Sequence, residues 1–196
     1  MRCGRWDELL AMSQPAAQTA GLKAYSLYGR GMALAAKGKL SAAEEARTQL
    51  AAVEKATSRD EIFMPPVENH TWQIVHIAGD VLAARIAAAK DDKTAAIQSL
   101  RDAVAVQDQL LYDEPADWYF PVRESLGGML LKTGDATAAE SVFREDLNQN
   151  PRNPRSLFGL AEALRQQNRL YEAGVVETQF HDAWRDADIQ LRVDDL

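Results

Sequence analysis

The chain has little of what several functional classes require. It contains one cysteine, Cys3, and three histidines among 196 residues. A single cysteine excludes an intramolecular disulfide framework and any zinc or iron–sulfur site built from several cysteines. No apolar run approaches the roughly 18 residues that cross a bilayer, and the first ten residues lack the apolar core of a signal peptide. We therefore expect neither a disulfide-stabilised fold nor membrane insertion.

Proline, glycine and positive charge are also scarce. There are 7 prolines and 11 glycines, and the formal net charge is −7. The acidic balance argues against nucleic-acid binding, because such binding draws much of its affinity from Lys and Arg on phosphates. The abundant residue is alanine, with 33 copies, and alanine combines the highest helix propensity with a small side chain. The composition predicts an all-helical protein with closely packed helices.

Short polar turns recur along the chain at related intervals. Gly4 and Gly38 are 34 residues apart, and so are Gly134 and Asn168. Asp91 marks a further turn between Gly38 and Gly134. The interval from Gly38 to Asp91 exceeds 34 by 19 residues, and the interval from Asp91 to Gly134 exceeds it by 9. Glycine and asparagine tolerate left-handed backbone angles, and aspartate is a poorer substitute. The five positions are predicted turns of one repeated helical hairpin.

The residues around each turn agree in size. Small residues seven positions before a turn and five positions after it would let two helix backbones approach closely. The positions before the turns hold Gly31, Ala84, Gly127 and Ala161, and those after them hold Ala43, Ala96, Ala139 and Ala173. A helix–turn–helix unit with this contact is therefore predicted four times.

The apolar periodicity and the prolines set the helix boundaries. Two prolines mark a loop over residues 58–68, and Pro115 and Pro121 mark a break after Leu111, because proline disfavours helix at and before its position. A tail over residues 187–196 is expected to be extended or to lie over the last hairpin. The predicted helices lie near residues 5–13, 22–37, 41–56, 69–90, 93–111, 117–133, 136–149, 154–167 and 171–186.

The third hairpin resembles the tetratricopeptide repeat (TPR) family most clearly. It carries the residue types of that family at Leu126, Gly127, Leu130, Ala139, Phe143 and Pro151. The first and fourth hairpins match at fewer positions, the second is degenerate, and the usual tryptophan of the first helix is absent. The resemblance covers most of residues 1–186. It implies an all-α fold, a right-handed superhelical array of antiparallel helix hairpins whose first helices line a concave face that binds a protein or peptide.

The resemblance also divides the chain. The parts are a half hairpin at 1–20, hairpins at about 22–57, 69–112, 117–152 and 154–186, and the tail at 187–196. Because only three residues precede the turn at Gly4, we expect the chain to be the C-terminal part of a longer bacterial TPR protein, cytoplasmic or periplasmic. Trp6, Leu9 and Leu10 would then form an uncovered apolar face that favours self-association.

The offsets from the turns imply a partner-binding set on the concave face. The set comprises Tyr25, Tyr28, Met32, Val81, Arg85, Glu124, Arg155, Phe158, Glu162 and Arg165, with Gly128 one turn after Glu124. Co-chaperone TPR proteins place a carboxylate-binding lysine and asparagine where this chain has Tyr28 and Met32, so chaperone tails are not expected ligands. The three arginines can still pair with an acidic group of a partner.

Motifs for catalysis, metals or cofactors are weak. His70 and His76 are six residues apart and cannot share one helix face, whereas His76 and Asp80, four apart, can meet. A simple hydrogen-bonded pair is the favoured interpretation of His76 and Asp80. Gly31 lies in a helical pattern with no strand before it, which favours helix packing over phosphate binding. We expect no enzymatic activity, no metal and no cofactor.

Three adjacent aromatic residues, Trp118, Tyr119 and Phe120, cannot all face one core. Core packing or anchoring of their loop is favoured over ligand contact. The main hypothesis is a non-catalytic scaffold that binds a protein or peptide on the concave face. The alternatives are an accessory region of a longer enzyme or metal-binding protein, and a self-association or spacer module.

Overall fold

The computed structural model describes residues 4–12 and 19–196, so Cys3 lies outside the described part. Across the described residues the chain forms nine α-helices and a 3-10 helix, with one isolated β-bridge and no strands. The predicted all-α class is confirmed. The chain divides into two compact units, Met1–Tyr119 and Phe120–Leu196, and each is described separately.

In its described residues, 4–12 and 19–119, the first unit has five helices that follow one another as antiparallel neighbours. Helix α2 packs against α1, α3 and α4, and α4 packs against α3 and α5. The helices are α1 (Trp6–Ala11), α2 (Ala20–Ala36), α3 (Leu40–Ala56), α4 (Thr71–Ala89) and α5 (Lys93–Gln107). Each of the helices α2 to α5 therefore contacts its hairpin partner, and α2 and α3 also contact α4, the first helix of the next hairpin.

The second unit contains four helices with the same neighbour pattern. Helix α7 packs against α6 and α8, α8 packs against α6 and α9, and a terminal 3-10 helix packs against α6. The helices are α6 (Val122–Thr133), α7 (Ala136–Gln149), α8 (Pro154–Gln166) and α9 (Leu170–Trp184), followed by the 3-10 helix Val193–Asp195. This last element places the end of the chain on α6.

The predicted turns are confirmed in their backbone conformation. Gly4, Gly38, Asp91, Gly134 and Asn168 all have positive φ, between 60° and 81°. In the last four turns the residue after the left-handed one donates its N–H to the carbonyl five positions before that donor, at 2.9 to 3.0 Å. This bond satisfies a carbonyl that the helix end would otherwise leave unpaired. A local sequence signal thus yields the same helix ending four times.

Three glycines lie directly against side chains of a facing helix. A Cβ atom on Gly31 would be 2.5 Å from Leu82 Cδ2 and 3.3 Å from Ala46 Cβ. In the second unit, a Cβ atom on Gly127 or on Gly159 would be 2.3 or 2.2 Å from Phe143 Cζ. Glycine is required at these positions because a larger residue would overlap the side chain of the facing helix.

The main difference from the predicted helices lies between α5 and α6. Helix α5 ends at Gln107 and α6 begins at Val122, whereas the sequence predicted helix up to residue 111 and again from residue 117. Pro121 is the N-cap residue of α6, so the helix begins directly after the proline, where a fixed φ and a missing N–H cost little. Residues 108–121 therefore form a longer connection than predicted.

The predicted loop after α3 is confirmed, and backbone hydrogen bonds close it. Phe63 N–H donates to Asn69 O, and Thr71 N–H donates to Glu61 O, both at 2.8 Å. The two bonds flank the bridge between Ile62 and His70. The loop is therefore closed at its base, and it delivers Phe63 to Tyr25 of α2, with ring centroids 5.9 Å apart.

Candidate functional site

The residues predicted to bind a partner are less exposed than an open surface would require. Tyr28, Val81, Glu124 and Arg155 are at most 8 % exposed, which differs from the expectation of accessible side chains. The other members, Tyr25, Met32, Arg85, Phe158, Glu162 and Arg165, are half-buried. For Tyr28, Glu124 and Arg155 the physical reason is that other segments of the same chain cover this face of α2 and of α6 and α8. Val81 lies on α4, which packs against α2, α3 and α5.

In the first unit, an aromatic cluster joins α2 to the connection that follows α5. Trp118 stacks on Tyr25 with ring centroids 6.0 Å apart, and its centroid is 5.2 Å from that of Tyr28. The Tyr25 hydroxyl donates to Asp117 O. Burial raises the pKa of both tyrosine hydroxyls above their usual range, so both stay neutral. The indole of Trp118, with 5 % exposure, belongs to the core, as the sequence favoured.

A single asparagine fixes the same connection. The Asn69 side chain, 1 % exposed, donates to Leu111 O at 3.0 Å and to Asp117 Oδ2 at 2.8 Å. Its Oδ1 accepts the Leu111 N–H at 2.7 Å. Because this pairing supplies backbone partners that a helix would otherwise provide, residue 111 is held outside α5.

In the second unit, the tail lies on the predicted concave positions of α6 and α8. We call this surface the α6–α8 face and define it by Ser125, Gly128, Lys132, Arg155 and Phe158. A Cβ atom on Gly128 would be 2.7 Å from Leu196 Cβ, and the three atoms nearest to it would all belong to Leu196. Gly128 thus provides the space in which Leu196 lies.

Polar groups of the same face contact the tail. Ser125 Oγ donates to Leu196 O at 3.3 Å, and Lys132 Nζ lies 2.9 Å from Asp194 Oδ1. Arg155 donates through its guanidinium to the backbone carbonyl of Asp195. The face therefore contacts one charged side chain and two backbone carbonyls of the segment, and it provides the space for the Leu196 side chain.

Arg155 is held in place by a buried polar network. Its Nε lies 4.0 Å from Glu124 Oε2, and both side chains are under 10 % exposed. Glu124 Oε1 accepts from Asn153 Nδ2 at 2.9 Å, and the same amide donates to Asp146 Oδ2 at 2.8 Å. Buried charges need such partners, because removal of one partner of a buried pair leaves an unpaired charge and destabilises a protein by about 3–5 kcal/mol. The network fixes the guanidinium for its bond to the tail.

The tail is anchored at its start by apolar contact. Leu191, 9 % exposed, joins a cluster with Leu157 and Phe180, and Phe158 packs against that cluster. Trp184 Nε1 donates to Ile189 O at 2.9 Å. Of the two alternatives for the tail, an extended segment or one lying over the last hairpin, this anchor agrees with the second, and the final residues extend further, onto α6 of the preceding hairpin.

The tail also has a local structure of its own. Arg192 N–H donates to Asp195 Oδ2 at 2.9 Å, and the guanidinium of Arg192 lies 3.3 Å from the same oxygen. The pairing with Arg192 lowers the pKa of Asp195. This contact closes the 3-10 turn, so of the two adjacent aspartates only Asp194 directs its carboxylate to Lys132.

Sequence reasoning missed Lys132 and the whole set of tail residues. Lys132 lies four residues after Gly128 and so shares its helix face; continuing the concave register by one turn would have found it. No local signal places Leu196 on α6, because the contact joins residues 71 positions apart along the chain.

Two other predicted members of the set, Glu162 and Arg165, pair with each other. Arg165 pairs with Glu162 of its own helix and with Glu177 of α9, and the contact with Glu177 raises its pKa. Arg165 therefore links α8 to α9. These two residues lie apart from the contacts that hold the tail.

His76 lies between two carboxylates. Its Nδ1 is 2.9 Å from Glu54 Oε1 of α3, and its Nε2 is 3.2 Å from Asp80 Oδ2. These contacts, with Asp80 the larger cause, raise the pKa of His76 to about 10, so the ring is a cation at neutral pH. Among the described residues no group of three side chains is placed to hold a metal ion. The predicted His76–Asp80 pair forms, with Glu54 as an additional partner.

His76→Gln is expected to destabilise the protein in a pH-dependent manner. The folded pKa of about 10 exceeds the ordinary value of 6.5, so the stabilisation is complete below the lower value and is lost as pH rises through the higher one. Urea unfolding at about pH 6 should show a clear loss, which shrinks towards pH 10. His181→Gln, on a side chain that is 69 % exposed, is the control. An equal loss at both pH values would contradict the ion-pair assignment.

Comparison with known proteins identifies no relative. No protein-family profile, curated protein or solved structure matches the chain significantly. In the described ranges, none of the helices is both long enough and apolar enough to span a membrane.

Proposed function

We propose that the chain is a TPR-like repeat protein, a right-handed array of helical hairpins that acts as a non-catalytic scaffold and binds a short segment of a partner protein on the α6–α8 face. The recurrent left-handed turns support the repeat assignment. The glycine contacts at Gly31 and Gly127 support it too, since small residues at these two positions are what the TPR resemblance implies.

The observation that carries the proposed binding role is the tail seated on the α6–α8 face. One short segment is held there by a shaped space at Gly128, a charge on Lys132 and backbone bonds from Ser125 and Arg155. Peptide-binding surfaces combine such backbone bonds, which give affinity, with pockets and charges that give specificity. The face therefore has the chemistry needed to receive a peptide.

The proposed role is tested by selecting displayed random short peptides on the full chain. Two targets are used, the wild type and a variant with Leu191→Ser and Leu196→Ser, which frees the face from the tail. We expect enriched peptides whose binding, measured by calorimetry, is lost on Gly128→Leu. That side chain would fill the space that Leu196 now occupies.

Gly174→Leu is the matched control, because a Cβ atom at Gly174 would meet no atom within 4 Å. Selected peptides should bind this variant as they bind the wild type. Failure to enrich any peptide on either target would contradict the proposed function, and so would enriched peptides that bind the Gly128→Leu variant unchanged. Melting curves show that each variant is folded before it is used.

A further inference from the structure

We infer that Leu191–Leu196 is an internal competitor for the α6–α8 face, and that its sequence defines the partner. The partner segment would carry aliphatic residues at both ends of six positions and an acidic residue at the fourth, as this segment does at Asp194. This inference rests on the proposed peptide-binding function and names the class of peptide that the face accepts.

The positions of the segment have separable roles. Leu191 packs into the apolar cluster beside Phe158, and Leu196 lies over Gly128. Asp194 faces Lys132. The remaining polar contacts are to the backbone, from Arg155 to the carbonyl of Asp195 and from Ser125 to that of Leu196, so they do not discriminate between side chains. The face therefore selects for two aliphatic ends and one carboxylate, and it is tolerant between them.

The charge of the contact points to an acidic partner. Lys132 and Arg155 both contact the segment, and Arg155 is also paired with Glu124. The face therefore presents positive charge to its occupant, and Lys132 directs its charge to a side chain, that of Asp194. A basic peptide would place like charges together at this point, and such a contact disfavours the wrong partner.

The hold of the segment on the face is weak enough for exchange. Only Leu191 is buried, Leu196 is half-buried, and the Asp194 side chain is 76 % exposed in its pair with Lys132. Exposed ion pairs contribute little because water screens them. The segment stays in place largely because its attachment gives it a high effective concentration, so a partner peptide with the same pattern and better contacts can replace it.

The test uses an amidated, fluorescein-labelled peptide of residues 188–196 as the probe, and fluorescence anisotropy as the measurement. The proteins are the full-length wild type and the Leu191→Ser, Leu196→Ser variant. With an attached competitor, the apparent association constant of the probe is its intrinsic value multiplied by the fraction of molecules whose face is free. We therefore expect the double variant to bind the probe about tenfold tighter or better than the wild type does. Adding Gly128→Leu to the variant should abolish binding.

Two controls separate competition from a general loss of structure. Ile189→Ser makes the same kind of change in the same segment, but the Ile189 side chain is 49 % exposed, so this variant should bind the probe as weakly as the wild type. A probe with Lys at the position of Asp194 should bind more weakly than the parent probe. The Gly128 amide signal in a nitrogen–proton correlation spectrum should move in the double variant and stay unchanged in the Ile189→Ser variant.

Three results would overturn the inference. Equal affinity of the probe for wild type and double variant would show that the segment does not compete, and absence of binding to the folded double variant would show that the partner class is wrong. A dimer by light scattering that dissociates in the double variant would assign the segment to a second copy. In each case the peptide selection still tests the proposed function, which fails if no peptide is enriched or if the enriched peptides bind the Gly128→Leu variant unchanged.

Discussion

Gly127→Leu is expected to be the most destabilising single change in the second unit, by about 3 kcal/mol or more, the upper end of the overpacking range. The reason is the position of Phe143, which is fully buried. The tip of its ring lies against both Gly127 and Gly159, at 2.3 and 2.2 Å from their would-be Cβ atoms. A ring enclosed by two helices cannot move away from one without meeting the other.

Urea unfolding of Gly127→Leu beside Gly174→Leu measures this effect. Gly174 lies in a helix of the same unit with open space around it, so the same substitution there should be neutral or stabilising, since glycine is about 1 kcal/mol worse than alanine in a helix. Combining Gly127→Ala with Phe143→Leu should cost less than the two single changes added together, because a shorter side chain relieves the overlap. Similar midpoints for the two leucine variants would refute the hairpin register.

In the first unit, Trp118→Ala should have a comparably large effect, a loss of roughly 3–5 kcal/mol, as expected for removal of a large buried aromatic side chain. The indole contacts Tyr25 and Tyr28 of α2 from a connection that has no helix of its own. Its removal should leave a cavity over α2 and release the backbone carbonyl of Asp117 from the Tyr25 hydroxyl.

The control is Tyr112→Ala, in the same connection, whose side chain is 81 % exposed and whose loss should change stability by less than about 0.5 kcal/mol. Thermal melting of both variants, followed by circular dichroism, provides the comparison. If the Trp118→Ala and Tyr112→Ala variants have the same melting temperature, Trp118 is not part of the core. The interpretation that this tryptophan packs in the core, and does not contact a ligand, would then be wrong.

The two units share a feature that bears on function. In each, the helix face that the repeat pattern assigns to partner binding is covered by a non-helical segment of the chain, the Trp118 connection on α2 and the tail on α6 and α8. The two coverings differ in strength. Asn69 and Trp118 fix the first with buried groups, whereas the second depends on one buried leucine and on exposed charges. Exchange with a partner is therefore expected at the tail and not at the connection.

What the sequence by itself determined is the local framework. The left-handed turns at Gly38, Asp91, Gly134 and Asn168 and most helix boundaries follow from signals a few residues long, because turn angles, proline breaks and apolar periodicity act over one or two helical turns. The same signals fail between α5 and α6, where a tertiary contact from Asn69, 42 residues distant from Leu111, outweighs helix propensity.

Only the tertiary structure decided which parts of the predicted binding set are available. Arg155 and Glu124 were placed on the right helices by their offset from the turns, but their burial and their pairing depend on segments 40 and 29 residues away along the chain, the carbonyl of Asp195 and the amide of Asn153. Such contacts leave no periodic trace in the sequence. They arise because the α6–α8 face has an open space at Gly128, two cations and an apolar edge. The free energy of the protein falls when a segment that is distant in sequence but close in the fold covers that face.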